Sequence, residues 1–166
     1  MSGIRNTGKI ACSAARGRTW FIAALLAAMC ACLGGAIRSV RAAGPAKTTL
    51  DGVFTTDQAA RGKAQYNANC STCHMEDLSG SGQAMPLAGD AFMDVWEGQT
   101  VADLLALVQG TMPQDKPGSL TPAVALDVIS YILQQNKFPA GKEELKNDPD
   151  ALKNILITNK APAKSQ

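Results

Sequence analysis

The residues best suited to chemistry lie in one short segment, Cys70-Ser71-Thr72-Cys73-His74. Its histidine is the only one in the 166-residue chain. On a single helical turn, the two thiols can add to the two vinyl groups of a haem while the imidazole binds the iron from one side. The C-x-x-C-H spacing therefore predicts one haem c, bound covalently through Cys70 and Cys73 and ligated by His74.

Three other uses of a C-x-x-C pair fit the sequence less well. A thioredoxin-like redox pair belongs beside a βαβ pattern, and no such pattern surrounds these cysteines. A structural zinc site needs a tetrahedron of protein ligands, whereas the chain beyond residue 42 offers only two cysteines and one histidine. A disulfide between cysteines this close in sequence closes too short a loop to stabilise much.

The opposite face of the iron cannot take a second histidine, because the chain has no other. Methionine, lysine, asparagine or no ligand remain. Met112 stands in a Gly-Thr-Met-Pro segment between two predicted helices, where a loop can bring its thioether over the haem. Met85 also precedes a proline, so spacing alone does not decide which methionine is the ligand. Either side chain could instead simply pack in the hydrophobic core. Ligation by a thioether favours ferrous iron and raises the reduction potential, as in cytochromes c generally.

Residues 1–42 have the pattern of an export signal. They carry six Lys and Arg residues and no acid, and an apolar stretch centred on residues 20–33 follows the first four cations. We expect cleavage after Ala42, where small side chains precede the cut, and a periplasmic location for the rest. The alternatives are an uncleaved membrane anchor, or lipid attachment at Cys30 or Cys32.

The net charge of +2 results from a basic leader joined to an acidic remainder of the chain. Residues 43–166 carry ten Lys and Arg against fourteen Asp and Glu. The functional part of the chain is therefore acidic, which favours a partner with a basic surface. It gives no support for nucleic-acid binding.

Helical signals dominate the chain beyond the leader. Apolar periodicity predicts helices at about 56–69, 100–110 and 121–136, capped by Thr56, Thr100 and Thr121, and a weaker helix from Asp148. A Gly/Ser/Pro-rich loop between residues 78 and 95 is long for a small domain, so something other than secondary structure is expected to organise it. The predicted divisions are a signal peptide at 1–42, a linker at 43–55, a haem domain at 56–140 and a tail at 141–166.

On these features the chain resembles the class I c-type cytochromes, and within them the small monohaem cytochromes associated with quinoprotein dehydrogenases. The resemblance runs from about residue 56 to residue 156. Besides the C-x-x-C-H motif, it rests on Ala60-Arg61-Gly62 with Tyr66, Pro86-Leu87-Ala88-Gly89 with Phe92 and Trp96, Gly110-Thr111-Met112-Pro113, the segments 117–121 and 127–133, and the closing segment 136–141.

The resemblance implies an all-α haem fold with three to four helices around a covalent haem, in which the first and third helices cross at Gly62, Tyr66 and Tyr131. It implies Met112 as the sixth ligand, and Trp96 near a haem propionate to which its indole N–H could donate. As a plain core residue, Trp96 would satisfy this N–H elsewhere. The other residues implied for the haem-binding pocket are Pro86, Leu87, Leu104, Leu120 and Ile132.

The expected function is the transfer of single electrons by a periplasmic monohaem cytochrome, not catalysis. The resemblance implies a quinoprotein or other periplasmic dehydrogenase as donor, and an oxidase or another cytochrome as acceptor toward the respiratory chain. One alternative is a fixed subunit of a dehydrogenase complex, docked through Leu152, Ile155 and Leu156 of the tail. The other is a five-coordinate haem protein that binds gas or peroxide. Membrane association is expected only if the leader is retained.

Overall fold

The computed structural model describes residues 47–82 and 84–160. The predicted signal peptide, its cleavage site after Ala42 and the alternative lipid sites at Cys30 and Cys32 lie outside the described residues. So do the start of the linker, Gln83 and the end of the tail. Within the described ranges, no helix is both long and apolar enough to cross a membrane.

Helices form most of the described chain. Helix α1 spans Thr56–Asn69, α2 Ser71–His74, α3 Asp90–Trp96, α4 Val101–Thr111, α5 Pro122–Gln135 and α6 Pro149–Lys153. Two short strands, β1 (Lys47–Thr48) and β2 (Ile155–Leu156), pair in parallel. The all-α class is confirmed. The number of helices exceeds the predicted three to four because α2 and α3 are too short to leave a periodic signal. The loop predicted between residues 78 and 95 is therefore shorter, since α3 begins at Asp90.

Side-chain caps fix where the long helices begin. Thr55 caps α1, one residue before the predicted Thr56. Helix α4 begins with the predicted capping box, in which the Thr100 hydroxyl accepts the Asp103 N–H at 3.1 Å and the Asp103 carboxylate accepts the Thr100 N–H at 3.0 Å. Thr121 caps α5 as predicted.

Helices α1 and α5 cross at the predicted glycine. A Cβ on Gly62 would overlap the backbone carbonyl oxygen of Asp127 and would lie 3.0 Å from Cβ of Tyr131. One turn further along α1, the rings of Tyr66 and Tyr131 pack with centroids 5.3 Å apart. Both tyrosines are buried. Gly62 therefore sets how closely these two helices approach each other.

Replacing Gly62 by Ala is expected to lower the free energy of unfolding by about 1–3 kcal/mol, because the added methyl group must push two helix backbones apart. The matched control is Gly110→Ala in α4, where nothing lies within 4 Å of the added Cβ. That variant is expected to be neutral or slightly more stable, since Ala is the better helix former. Chemical denaturation measures both; a Gly62→Ala protein as stable as Gly110→Ala would contradict the close crossing.

Residues 141–160, which we call the strap, pack against the helical domain. The strap begins at Gly141, whose N–H donates to the Phe54 carbonyl at 2.6 Å. Its buried apolar side chains are Leu145, Leu152, Ile155 and Ile157. Leu152 and Ile155, which the docking alternative would present to a partner, are thus covered by their own domain, and Leu156 is half-buried.

Two polar contacts join the strap to α1. Gln58 is buried, and its side-chain amide donates to the Leu145 carbonyl at 3.0 Å and accepts the Leu145 N–H at 2.8 Å. Arg61 donates to Glu144 of the strap at 3.0 Å and also to Asp127 of α5 at 3.0 Å. The first contact is buried and the second is exposed, so the buried amide pair is the stronger anchor.

Two carboxylates that hold the strap make stability depend on pH. Hydrogen bonds from Arg61 lower the pKa of Glu144, and the Thr158 hydroxyl lowers the pKa of Glu97. A carboxylate whose pKa is lower in the folded than in the unfolded state stabilises the fold. This stabilisation is complete above the unfolded-state pKa and is lost as the pH falls through the folded-state pKa. We therefore expect stability to fall on acidification below the ordinary glutamate pKa of 4.5.

A Glu97→Gln/Glu144→Gln double variant should show a shallower fall, because neither amide titrates. Urea midpoints of parent and variant, measured from neutral to acidic pH, test this. Equal slopes for the two proteins would show that these carboxylates do not contribute to the pH dependence.

Candidate haem site

The C-x-x-C-H segment forms the junction of α1 and α2. The Cys70 N–H donates to the Tyr66 carbonyl at 2.8 Å, and the His74 N–H donates to the Cys70 carbonyl at 2.9 Å. The motif therefore forms the helical turn that its chemistry needs. Cys70 is half-buried against the core, where burial raises the pKa of its thiol to about 11, whereas Cys73 is exposed. The two thiols are not joined in a disulfide.

His74 is held in the tautomer that can bind a metal through Nε2. The residue is 8% exposed, and its Nδ1 lies 2.8 Å from the carbonyl oxygen of Met85. A carbonyl oxygen can only accept a hydrogen bond, so in the neutral ring Nδ1 carries the proton and Nε2 keeps a free lone pair. The same bond fixes the orientation of the ring and makes Nε2 a better ligand.

Tyr66 fixes the backbone that leaves the motif. Its buried hydroxyl donates to the Met75 carbonyl at 2.7 Å, and the His74 carbonyl lies 3.2 Å from the same hydroxyl oxygen. Burial raises the pKa of this hydroxyl, which keeps it a neutral donor. This role of Tyr66 could not be predicted beyond the helix crossing, because no local pattern links the residue to the ligand.

The long loop before α3 is organised by the motif itself. The Gly80 N–H donates to the His74 carbonyl at 3.1 Å, and the Ser81 hydroxyl donates to the Cys73 carbonyl at 2.9 Å. Together with the bond from His74 to the Met85 carbonyl, these contacts hold the loop against the proposed ligand. They explain how a loop of this length keeps a fixed path.

The two methionines considered as sixth ligands occupy different positions. The backbone of Met85 lies beside Nδ1 of His74, the ring nitrogen that points away from a metal bound at Nε2. Met112 is half-buried and follows the last residue of α4, with its N–H donating to the Val108 carbonyl at 3.0 Å. The Met85 backbone is thus tied to the Nδ1 side of His74, and ligation by Met112 stays a prediction.

Trp96 carries a buried donor without a partner. It ends α3, is 6% exposed and stacks on Phe92 with ring centroids 6.3 Å apart. Among the described residues, its Nε1 is the one buried side-chain nitrogen or oxygen atom that makes no hydrogen bond. Leaving such a donor unpaired costs about 1–3 kcal/mol, so an acceptor is expected there.

The remaining residues predicted for the pocket are buried (Leu104, Leu120 and Ile132) or half-buried (Pro86 and Leu87). Asn136 holds the Leu87 segment in place. Its side-chain amide donates to the Leu87 carbonyl at 2.9 Å, and its side-chain oxygen accepts the Gly89 N–H at 2.9 Å. From its local pattern Asn136 was predicted as the end of α5, and helix-end residues of this type need no further role.

Comparison with known proteins agrees with this geometry. Residues 57–132 match the family profile described as cytochrome c oxidase, cbb3-type, subunit III. That stretch reaches from α1 into α5 and includes the C-x-x-C-H motif, Trp96 and Met112.

Residues 57–132 therefore match a c-type cytochrome domain.

Among solved structures, the cytochrome is similar to a chain of the sulfane dehydrogenase SoxCD from Paracoccus pantotrophus, with 17% identity and a TM-score of 0.45. The match covers 69% of this chain and 66% of that chain, just under two thirds of its length. Comparison with curated protein sequences finds no match.

A cytochrome domain of this class transfers electrons through haem, and the residues present fit that group. Nε2 of His74 is available as a ligand, and the thiols of Cys70 and Cys73 are free. The unpartnered N–H of Trp96 suits a carboxylate such as a haem propionate. Within the described ranges, no three His, Cys, Asp or Glu side chains converge as a site for a bare metal ion.

The surface of the cytochrome beside the motif is acidic. Glu76 and Asp77 follow shortly after His74 and are exposed, together with the neighbouring Met75. Hydrogen bonds from Ser79 lower the pKa of Asp77, so this carboxylate is charged at neutral pH. In the part of the chain that the structure describes, neither carboxylate belongs to an ion pair. Negative charge is therefore concentrated next to the proposed point of haem attachment.

Proposed function

We propose that the protein is a periplasmic carrier of single electrons with one haem c bound covalently. The electrons come from a quinoprotein or other periplasmic dehydrogenase and pass toward the respiratory chain. The observation that carries this proposal is the hydrogen bond from Nδ1 of His74 to the Met85 carbonyl at 2.8 Å within a C-x-x-C-H turn. It leaves Nε2 ready to bind iron, which a histidine with a merely structural role does not need.

Each residue of the site has a separate task. Cys70 and Cys73 would attach the haem through thioether bonds, and His74 would bind its iron through Nε2. Met112 would bind the iron through its thioether sulfur as the second protein ligand. The bound haem supplies a one-electron ferric/ferrous couple. Tyr66 and the Met85 carbonyl keep His74 fixed, so that its position need not change when an electron arrives.

Ligation by Met112 would make the protein a carrier rather than an enzyme or a gas sensor. With His74 and Met112 both bound, no coordination position is left for a small molecule. The buried positions of Leu152 and Ile155 support a free carrier over a fixed subunit, because these two side chains are not available to a partner.

The charge of the surface supports a redox partner with a basic docking face. The chain beyond residue 42 has an excess of acids, and Glu76 and Asp77 lie beside the attachment motif. Complementary charge raises the rate of encounter between such partners and makes that rate fall with salt. Stopped-flow rates of electron transfer at increasing ionic strength are therefore expected to decline.

Haem attachment is the most direct test of the proposal. The gene is expressed in a host with the machinery for c-type cytochrome maturation, and the mass of the denatured protein is measured. We expect the mass to include one haem in the parent and in a Ser71→Ala control, and no covalent haem in a Cys70→Ala/Cys73→Ala variant. A parent protein that releases its haem on denaturation would contradict covalent attachment.

Location and electron donor need separate measurements. Amino-terminal sequencing of periplasmic protein is expected to begin at Ala43, whereas an intact amino terminus in the membrane fraction would indicate the anchored alternative.

Anaerobic mixing of the ferric protein with candidate quinoprotein dehydrogenases is expected to give the ferrous spectrum. Co-elution with a dehydrogenase from native extract during size exclusion would indicate a fixed subunit instead.

A further inference from the structure

The end of the strap is bonded to the turn that follows Trp96. The Ile157 N–H donates to the Gln99 carbonyl at 2.8 Å, and the Gly98 N–H donates to the Ile157 carbonyl at 2.8 Å. Ile157 itself is completely buried. The strap therefore adds a pair of backbone hydrogen bonds to the turn between α3 and α4.

The strap also binds the residue directly after Trp96. The Thr158 hydroxyl donates to Oε1 of Glu97 at 2.6 Å, and the Asn159 N–H donates to Oε2 of Glu97 at 3.3 Å. With the bonds of Ile157, all three residues that follow Trp96 in sequence are held by the strap. Those residues are Glu97, Gly98 and Gln99.

Trp96 needs external support because it ends a helix of only seven residues. A helix this short is held in place mainly by its tertiary contacts. The carbonyl of Trp96 accepts the Gln99 N–H at 3.0 Å. The turn at residues 97–99, which is hydrogen-bonded to the strap, is therefore also bonded directly to the tryptophan backbone. The indole Nε1 is buried and has no protein partner among the described residues, which indicates that its position serves a group outside the chain.

We propose that strap residues 157–159 position the Trp96 indole for donation to a haem propionate, with Thr158 as the principal positioning side chain. This inference rests on the proposed function, since it requires bound haem. An N–H bond to a propionate offsets part of its negative charge. When the indole is displaced, the uncompensated charge favours ferric over ferrous iron, and the midpoint potential falls.

The test compares Thr158→Val with the parent as full-length holoprotein. Valine keeps the shape of the side chain and removes the hydroxyl that binds Glu97. Both proteins carry Trp20→Phe, which leaves Trp96 as the only tryptophan whether or not the leader is removed. We expect Thr158→Val to lower the midpoint potential and to make Trp96 emission stronger, redder and more accessible to acrylamide.

Two further variants distinguish a loss of Trp96 positioning from a general loss of strap packing. Glu144→Gln weakens the other end of the strap, where the contact is with Arg61 and not with the Trp96 turn. It should leave the potential and the emission unchanged. Thr158→Ser restores a hydroxyl and should return both readouts to parent values. Melting temperatures are recorded for all variants, so that a change in stability is not mistaken for a change in Trp96.

A double substitution decides whether the strap acts through Trp96. If it does, Thr158→Val/Trp96→Phe has the same potential as Trp96→Phe alone, because the positioned group is already absent. Additive shifts in potential would overturn the proposal, as would unchanged potential and emission in Thr158→Val. A parent that binds no haem would refute the proposed function instead, and the parent spectrum shows this before any variant is compared.

Discussion

A Met112→Ala protein is expected to keep its covalent haem and to lose the sixth ligand, with a large fall in midpoint potential. Thioether sulfur stabilises ferrous iron relative to ferric iron, and the water that replaces it does not. Axial ligands set haem potentials over a span of about 0.8 V, so this effect should exceed that of any pocket substitution. The long-wavelength absorption band of a ferric Met–His haem should disappear, and added cyanide or carbon monoxide should bind readily.

Met85→Leu is the matched control for this experiment. Met85 also precedes a proline, but its contact with His74 is made by the backbone carbonyl, which leucine retains. Its potential and absorption band should match those of the parent. Loss of the band in Met85→Leu, or its survival in Met112→Ala, would show that the ligand assignment is wrong. Rapid carbon monoxide binding by the parent would favour the five-coordinate alternative.

The sequence predicts those parts of the site whose chemistry requires residues close together in the sequence. Two thiols and an imidazole must share one turn to engage a haem, so Cys70, Cys73 and His74 are recognisable from spacing alone. The start of α4 is equally local, because Thr100 and Asp103 cap each other across three residues. The close contact at Gly62 was implied by the resemblance, and a glycine inside a helix often marks such a contact.

The support around His74 could not be predicted in this way. Its partner is the backbone carbonyl of Met85, a group that every residue type possesses, so no side chain marks the position. Trp96 was expected at the haem from resemblance, but the absence of a partner for its N–H is visible only in the packed structure.

The individual contacts of the strap could not be predicted, because they join residues that are remote in sequence. Gln58 bonds Leu145 across 87 positions, and Thr49 bonds Thr158 across 109 positions. The buried residues of the strap are also too sparse to give a clear helical or strand period. Its short helix from Asp148 was predicted from local signals, whereas its packing on the domain depended on residues that local patterns do not connect.

Deleting residues 142–166 is expected to remove most of the stability of the protein. The deletion takes away four buried apolar side chains, Leu145, Leu152, Ile155 and Ile157, and burying each is worth about 1.5–3 kcal/mol. It also leaves the amide of Gln58 without partners, which costs about 1–3 kcal/mol more. These losses are comparable with the roughly 5–15 kcal/mol by which whole domains are stable. We expect little soluble holoprotein, and early thermal unfolding of what is recovered, by circular dichroism.

Point substitutions show whether that loss comes from packing or from chain length. Leu152→Ala should cost about 2–5 kcal/mol, because it opens a cavity in a fully packed site. Lys153→Ala, at the exposed next position of the same helix, should change stability by no more than about 0.5 kcal/mol. If the truncated protein bound haem and melted like the parent, the strap would be dispensable for folding and free to serve as a docking arm. If Leu152→Ala alone reproduces a large part of the loss, the strap belongs to the haem domain, and the domain ends near residue 160 rather than at the predicted residue 140.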